Sequence, residues 1–182
     1  MKNLSFLLIA LTFSTTSLAA DKAQEREKLV AEGKSLIKTF ASKLKPKLKQ
    51  TIQSEGPAAA IKVCSEFAPK IAKELSAESG WDIKRVSLKP RNKNSAVADN
   101  WEQSHLEAFD KGTDRNAAIL HDDNQFRMMK AQRVEAVCLL CHGTSISDEV
   151  KSALEEYYPE DKATGYQLGD VRGAFSLSKK LK

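Results

Sequence analysis

Residues 138–142 read Cys-Leu-Leu-Cys-His, two thiols three positions apart followed at once by an imidazole. No other feature restricts the chain so tightly, because whatever this segment holds must be reached by both sulfurs and by the ring beside them. On a helical turn the two cysteines fall on one side, about 4.5 Å apart along the axis. That separation suits two thioether bonds to one porphyrin edge, and C-x-x-C-H is the attachment pattern of c-type haem. His142 can then turn its imidazole onto the iron.

Three other chemistries use the same residues. A thioredoxin-like redox pair wants its C-x-x-C beside a βαβ unit and a lowered thiol pKa, and no such unit is evident. Structural zinc would recruit Cys64, Cys138, Cys141 and His142 as a Cys₃His set, although the adjacent Cys141 and His142 reach one tetrahedral ion awkwardly. The plainest alternative is a Cys138–Cys141 disulfide with an incidental histidine, which an oxidising compartment allows.

The N-terminus points to such a compartment. Residues 1–20 carry one charge, Lys2, then an apolar run from Leu4 to Phe13 and a small-residue end, Ser17-Leu18-Ala19-Ala20. The run is shorter than the roughly 20 apolar residues of a membrane span, and Ser17-x-Ala19 supplies what a signal peptidase recognises. We expect a secretory signal peptide cleaved near Ala19 or Ala20, and a periplasmic protein. Covalent haem attachment outside the bacterial cytoplasm agrees with export.

Residues 21–182 are then a single domain, with 28 basic and 24 acidic side chains and a net charge of +4. A chain near 150 residues buries roughly 68–70% of its unfolded surface, so it needs no dense disulfide framework. Three cysteines could not supply one. No later stretch approaches membrane length, so no integral membrane segment is expected, and the mild charge gives no reason to expect a nucleic-acid partner.

From Asp21 to Ser54, Leu29, Leu36, Phe40, Leu44, Leu48 and Ile52 recur at near-helical spacing and predict an amphipathic helix. Pro46 inside it predicts a kink or a restart, with the lysines around it on a solvated face. Gly56-Pro57 opens a second helix bearing Ile61, Cys64, Ala68, Ile71 and Leu75 on an inward stripe; Pro69 bends or breaks it before Ser79-Gly80 ends it. Trp81 to Leu88 reads as a strand, and Asp99 to Glu102 has the spacing of a capping box. Residues 117–121 and 125–134 predict two strands around a polar turn, 147–158 a short helix and 171–177 a terminal strand. Helices lead and strands follow without regular alternation, so the fold class is α+β with a mostly antiparallel sheet.

Cys64 is left over once haem has used the other two thiols. Burial alone explains it, or it faces the iron as the sixth ligand, since a thiolate is a recognised haem ligand. His105, His121, Met128 and Met129 are its rivals. Met128 and Met129 are adjacent and lie on opposite sides of a strand, so one of them fills the core.

Four blocks now resemble a known family, the single-haem PAS-like periplasmic domains that occur alone or as sensory ends of bacterial signalling proteins. They are Ala60-Ile61-Lys62-Val63-Cys64 through Pro69, Arg85-Val86-Ser87-Leu88-Lys89 through Asn92, Cys138 through Gly143, and Gly165 through Ser176. Ala96-Val97-Ala98 stands where relatives tend to carry a proline. The resemblance implies a PAS-like antiparallel sheet with N-terminal helices packed against it and one covalent haem c. It further implies Cys138 and Cys141 as thioether positions, His142 as proximal ligand and Cys64 as distal ligand. Arg85, Lys89, Arg91 and Asn92 become candidates for the haem propionates, because guanidinium forks suit carboxylates; a turn anchored by Asn92 among solvated cations is the plain alternative.

The expected function is a monohaem c-type cytochrome domain that senses redox state or a diatomic gas, or that carries single electrons, rather than an enzyme. Its partner would be a separate redox or signalling protein. A small peroxidase-like haem enzyme needs an open distal site with positioned acid-base groups, and a non-haem binding module would hold a disulfide or zinc at the motif.

Overall fold

The computed structural model describes residues 14–113 and 117–181. The first 13 residues of the expected signal peptide lie outside the described residues. Helix α1, Ser14–Glu55, takes up the rest and continues without a break. Helix α2 is Pro57–Ser79, and β1, Asp82–Val86, follows it. Next come α3 (Asn100–Asp110), β2 (Ala117–His121) and β3 (Gln125–Arg133). A 3₁₀ turn, Ala136–Cys138, leads into the short α4 (Leu139–His142), then α5 (Asp148–Tyr157) and β4 (Val171–Lys180).

The four strands form one sheet in the order β1-β4-β3-β2, every pair antiparallel. The last strand in sequence sits between the first and the third, so the sheet is incomplete until the C-terminus arrives. This is the α+β architecture expected, with the N-terminal helices against the sheet. Leu29, Phe40 and Leu44 of α1 and Ala68, Ile71 and Leu75 of α2 share one core with Ile83, Phe126, Met128, Phe175 and Leu177. Each such side chain, fully buried, stabilises by roughly 1.5–3 kcal/mol.

That burial explains a departure from the sequence reading. Neither Pro46 nor Pro69 ends its helix. Both are exposed, while apolar neighbours on either side pack into the same core. Several buried side chains outweigh a proline cost of about 3 kcal/mol. Other local signals act as their chemistry dictates. Pro57 starts α2, and Gly80 caps its end with φ 72°, its N–H reaching Ser76 O.

The opposite face of the sheet is also covered. Val86, Met129 and Ala174 pack there with Leu106 and Phe109 of α3. Asp99 accepts from the Glu102 amide at 2.9 Å and Glu102 Oε2 accepts from the Asp99 amide at 2.8 Å, a reciprocal capping box. The two methionines therefore both fill cores, Met128 at 2% and Met129 at 0% exposure, one on each face. The expectation that only one would do so assumed a sheet with a single covered face. Among the described residues no helix is long and apolar enough to cross a membrane.

Candidate functional site

Cys138 closes the 3₁₀ turn and Cys141 and His142 occupy α4. A four-residue helix has little stability alone, so tertiary contacts hold it. Cys138 packs with Val134, Ala163 and Tyr166, while Cys141 packs with Ile61, Val150, Leu154 and Tyr158. Gly143 bridges to Tyr166, where a Cβ would crowd the Leu139 carbonyl at 2.6 Å.

All three cysteines are free and half-buried. Burial raises the Cys141 thiol to about 11, although Arg91 pulls the other way. Cys64, on α2, is likewise pushed up by burial against the pull of Arg85, Arg91 and Arg172. A lowered thiol pKa, which a thioredoxin-like pair wants, is therefore absent at Cys141. No group of three or more His, Cys, Asp or Glu among the described residues is arranged to hold a metal ion. Cys64, Cys138, Cys141 and His142 thus do not converge as the zinc reading requires.

His142 Nδ1 lies 2.6 Å from the carbonyl oxygen of Ala163. A carbonyl only accepts, so Nδ1 carries the proton and donates it. Arg172 Nε stands 3.2 Å from the same Nδ1. A protonated Nδ1 has no lone pair for it, and Arg172 acts there as a neighbouring cation. Nε2 then carries the lone pair and accepts from Arg91 Nη1 at 3.5 Å. Burial first, then Arg172 and Arg91, drive the imidazole pKa down to about 2. His142 is neutral at ordinary pH, the form that ligates metals.

The candidate cations divide sharply. Arg91, 7% exposed, forms a two-pronged pair with Asp161 at 3.1 Å on each prong and donates to the carbonyls of Cys141 at 2.6 Å and Ala163 at 3.3 Å. Lys89 Nζ sits 4.9 Å from the centre of the Tyr166 ring. The Asn92 side-chain oxygen accepts from the amides of Asn94 and Ser95, at 3.1 and 3.3 Å, and so anchors its own turn. Arg85 shares the α1 and α2 face of the sheet with Ile83 and lies 5.4 Å from the centre of the Phe40 ring.

Arg85 is exposed to solvent, yet protein surrounds it densely enough to lower its pKa, chiefly by burial. Cys64, Cys141, His142 and Arg172 are half-buried with shifts of the same cause. The guanidinium groups of Arg85, Arg91 and Arg172 all act on Cys64, and Asp161 neutralises that of Arg91. Such a surplus of cations suits a dianionic ligand.

The rival ligands are engaged in other places. His105 packs between Trp101 and Phe109, with ring centres 4.7 and 6.3 Å away. His121 lies 3.7 Å from Glu25 and packs on Phe126. Both methionines are in the cores described above. Sequence reasoning did not single out Arg172, Asp161, Ala163, Tyr158 or Tyr166, each of which meets the site through contacts distant in sequence. Burial and the neighbouring Cys64 raise the Tyr158 hydroxyl to about 12.

No curated protein sequence matches the chain. Among solved structures, the crystal structure of the cyanobacterial heme-protein Tll0287 is similar, with a TM-score of 0.63 and 28% identity, covering 86% of this chain and 95% of that one. The family model described as Tll0287-like matches residues 16–179. That span runs from the start of α1 through nearly all of β4 and takes in every residue of the site, so the chain belongs to the Tll0287-like family.

Proposed function

We propose that this chain is an exported monohaem c-type protein that works in redox or gas sensing or in single-electron transfer. In this reading Cys138 and Cys141 bind the porphyrin through thioethers, His142 Nε2 is the proximal ligand and Cys64 the distal one. The observation that carries it is the His142 imidazole, held neutral with Nδ1 donating to Ala163 at 2.6 Å in the helix that also bears Cys141. That is the tautomer a ligand needs, beside the thiols that C-x-x-C-H requires. The similar solved structure is that of a heme-protein, which supports the same cofactor.

The donor set fits the group. Arg85 and Arg172 are free of carboxylate pairing among the described salt bridges, unlike Arg91, and suit propionates better than Lys89 or Asn92. Bound haem supplies a one-electron iron couple and, when reduced, a binding position for small gases. A protein thiol opposite His142 would fill the position that a haem enzyme keeps open, which favours a sensor or carrier over a catalyst. A thiolate ligand lowers the potential relative to a His/Met pair. A separate redox or signalling protein would be its partner.

The test is the pyridine haemochrome spectrum of protein made with periplasmic haem maturation, together with the mass of the mature N-terminus. We expect a c-type signature at one haem per chain and cleavage near Ala19 or Ala20. A colourless protein under competent maturation overturns the haem reading, and an uncleaved N-terminus overturns export.

A further inference from the structure

The Arg91–Asp161 pair does something that neither the motif nor the family match assigns. Both side chains are buried, 7% and 8% exposed, and 70 residues apart in sequence. Asp161 Oδ1 also accepts from the Ala163 amide at 2.9 Å, and the Asp161 amide bonds Tyr158 O at 2.9 Å. The Lys162 amide bonds Pro90 O at 3.1 Å, next to Arg91. The loop 158–163 is thereby fixed at both ends, and its Ala163 carbonyl is aimed at His142 Nδ1. From the other side, Arg91 Nη2 holds the Cys141 carbonyl at 2.6 Å, one residue before His142.

A single guanidinium therefore bonds both partners of the imidazole contact: the backbone that carries His142 and the carbonyl that takes its proton. Resting on the haem reading above, we propose that Arg91 and Asp161 are positioning residues that set the strength of the His142 Nδ1–H···O=C bond and, through it, the donor strength of Nε2 toward iron. A hydrogen bond at the far nitrogen makes an imidazole a stronger ligand and fixes its ring plane. Stronger donation favours ferric iron, so loosening the clamp raises the reduction potential. Surface ion pairs contribute little, but this one is buried, forked and aimed at one backbone atom.

The test compares the haem-loaded wild type with Arg91→Lys, which keeps the charge and loses the fork, and Asp161→Asn, which keeps the shape and loses the charge. At unchanged haem per chain, we expect both to raise the potential and to change the g-value spread of low-spin ferric iron, with the double variant shifted no further than the larger single. Wild-type potential and g-values in both variants overturn the proposal. As a second readout, long-range ¹H–¹⁵N spectra of the full chain made without haem report the His142 tautomer. Nδ1–H in the wild type and a mixture in the variants supports the clamp whether or not haem is its purpose; an unchanged tautomer overturns it. A wild type that never takes up haem would count against the proposed function instead.

Discussion

The hydroxyl of Ser176 donates to Glu102 Oε1 across 2.5 Å, at a point where Glu102 has no contact with solvent. Lys84 Nζ reaches Oε2 of the same carboxylate at 2.9 Å and Arg127 Nη2 lies 3.3 Å from Oε1. One carboxylate thus ties α3 to β1, β3 and β4. Glu102→Ala would leave two cations facing an apolar hole. Removing one partner of a buried ion pair costs about 3–5 kcal/mol, and because Lys84 is 33% exposed we expect about 3 kcal/mol. Ser176→Ala removes one hydrogen bond and should cost about 1 kcal/mol. Urea unfolding midpoints check the order; equal losses would show that the charges are not coupled to the hydroxyl.

Asp99→Ala removes the side chain that caps α3 and that Arg127 meets at 2.6 Å. Loss of an N-cap costs about 1 kcal/mol, or about 2–4 °C in Tm for a chain of this size. The acid limb carries the sign. Burial raises the Asp99 pKa, but the Glu102 amide and Arg127 outweigh it and hold it below its ordinary 3.8. A carboxylate with a depressed folded pKa stabilises fully above its unfolded value and loses that contribution as the pH falls through the folded one. The wild-type advantage over Asp99→Ala should persist at neutral pH and shrink below pH ~3.8; a constant gap down to pH ~2 would contradict this.

Such contacts mark the border of what the sequence discloses. Asp99 and Glu102 act within one turn of one helix, so their spacing alone exposes the capping box, as Gly56-Pro57 and Gly80 expose the limits of α2. The C-x-x-C-H segment stands out for the same reason, its three residues lying within one short turn and helix. Pro46 misleads because its effect depends on what packs around it. Asp161 and Ala163 stay hidden because one acts through an arginine 70 positions away and the other through a backbone oxygen, to which side-chain identity is nearly irrelevant. Arg172 lies within the Gly165–Ser176 block that carries the family resemblance, but its reach to His142 depends on the pairing of β4 with β1.

That pairing makes Gly173 a sensitive position. Its φ is +153°, and a Cβ there would run into the Val86 carbonyl and stand 3.1 Å from Ser87 Cβ. Neither obstacle can swing away. Gly173→Ala should cost about 2–3 kcal/mol from the strained conformation and the clash, and it should disturb Ser87, whose hydroxyl holds the Arg172 carbonyl at 2.8 Å and guanidinium at 3.1 Å. Gly33→Ala is the contrast. Its Cβ would press on the sulfur end of Met128, a flexible side chain but one enclosed in the core, so an overpacking cost of about 1–3 kcal/mol is partly offset by about 1 kcal/mol of helix propensity. We expect Gly33→Ala to lose about 1 kcal/mol, less than Gly173→Ala, because a side chain and not backbone has to give. Thermal unfolding of the two variants side by side decides; equal losses would refute the difference in obstacle.

Cys64 separates the ligand readings most directly. If Cys138 and Cys141 attach the porphyrin as proposed, Cys64→Ala should keep one haem per chain and change the ferric spectrum. Its reduction potential should rise, because axial ligands move haem potentials over a range of about 0.8 V and thiolate favours the ferric side. Met128→Leu and Met129→Leu are the controls. Each side chain is enclosed in a core, a leucine nearly conserves its volume, and the cost should stay below about 1.5 kcal/mol with the spectrum unchanged. An unaltered ferric spectrum in Cys64→Ala would remove the distal thiol from the mechanism. A changed one in either methionine variant would mean that the strand opens to the iron, against the burial of both sulfurs on opposite faces of a covered sheet.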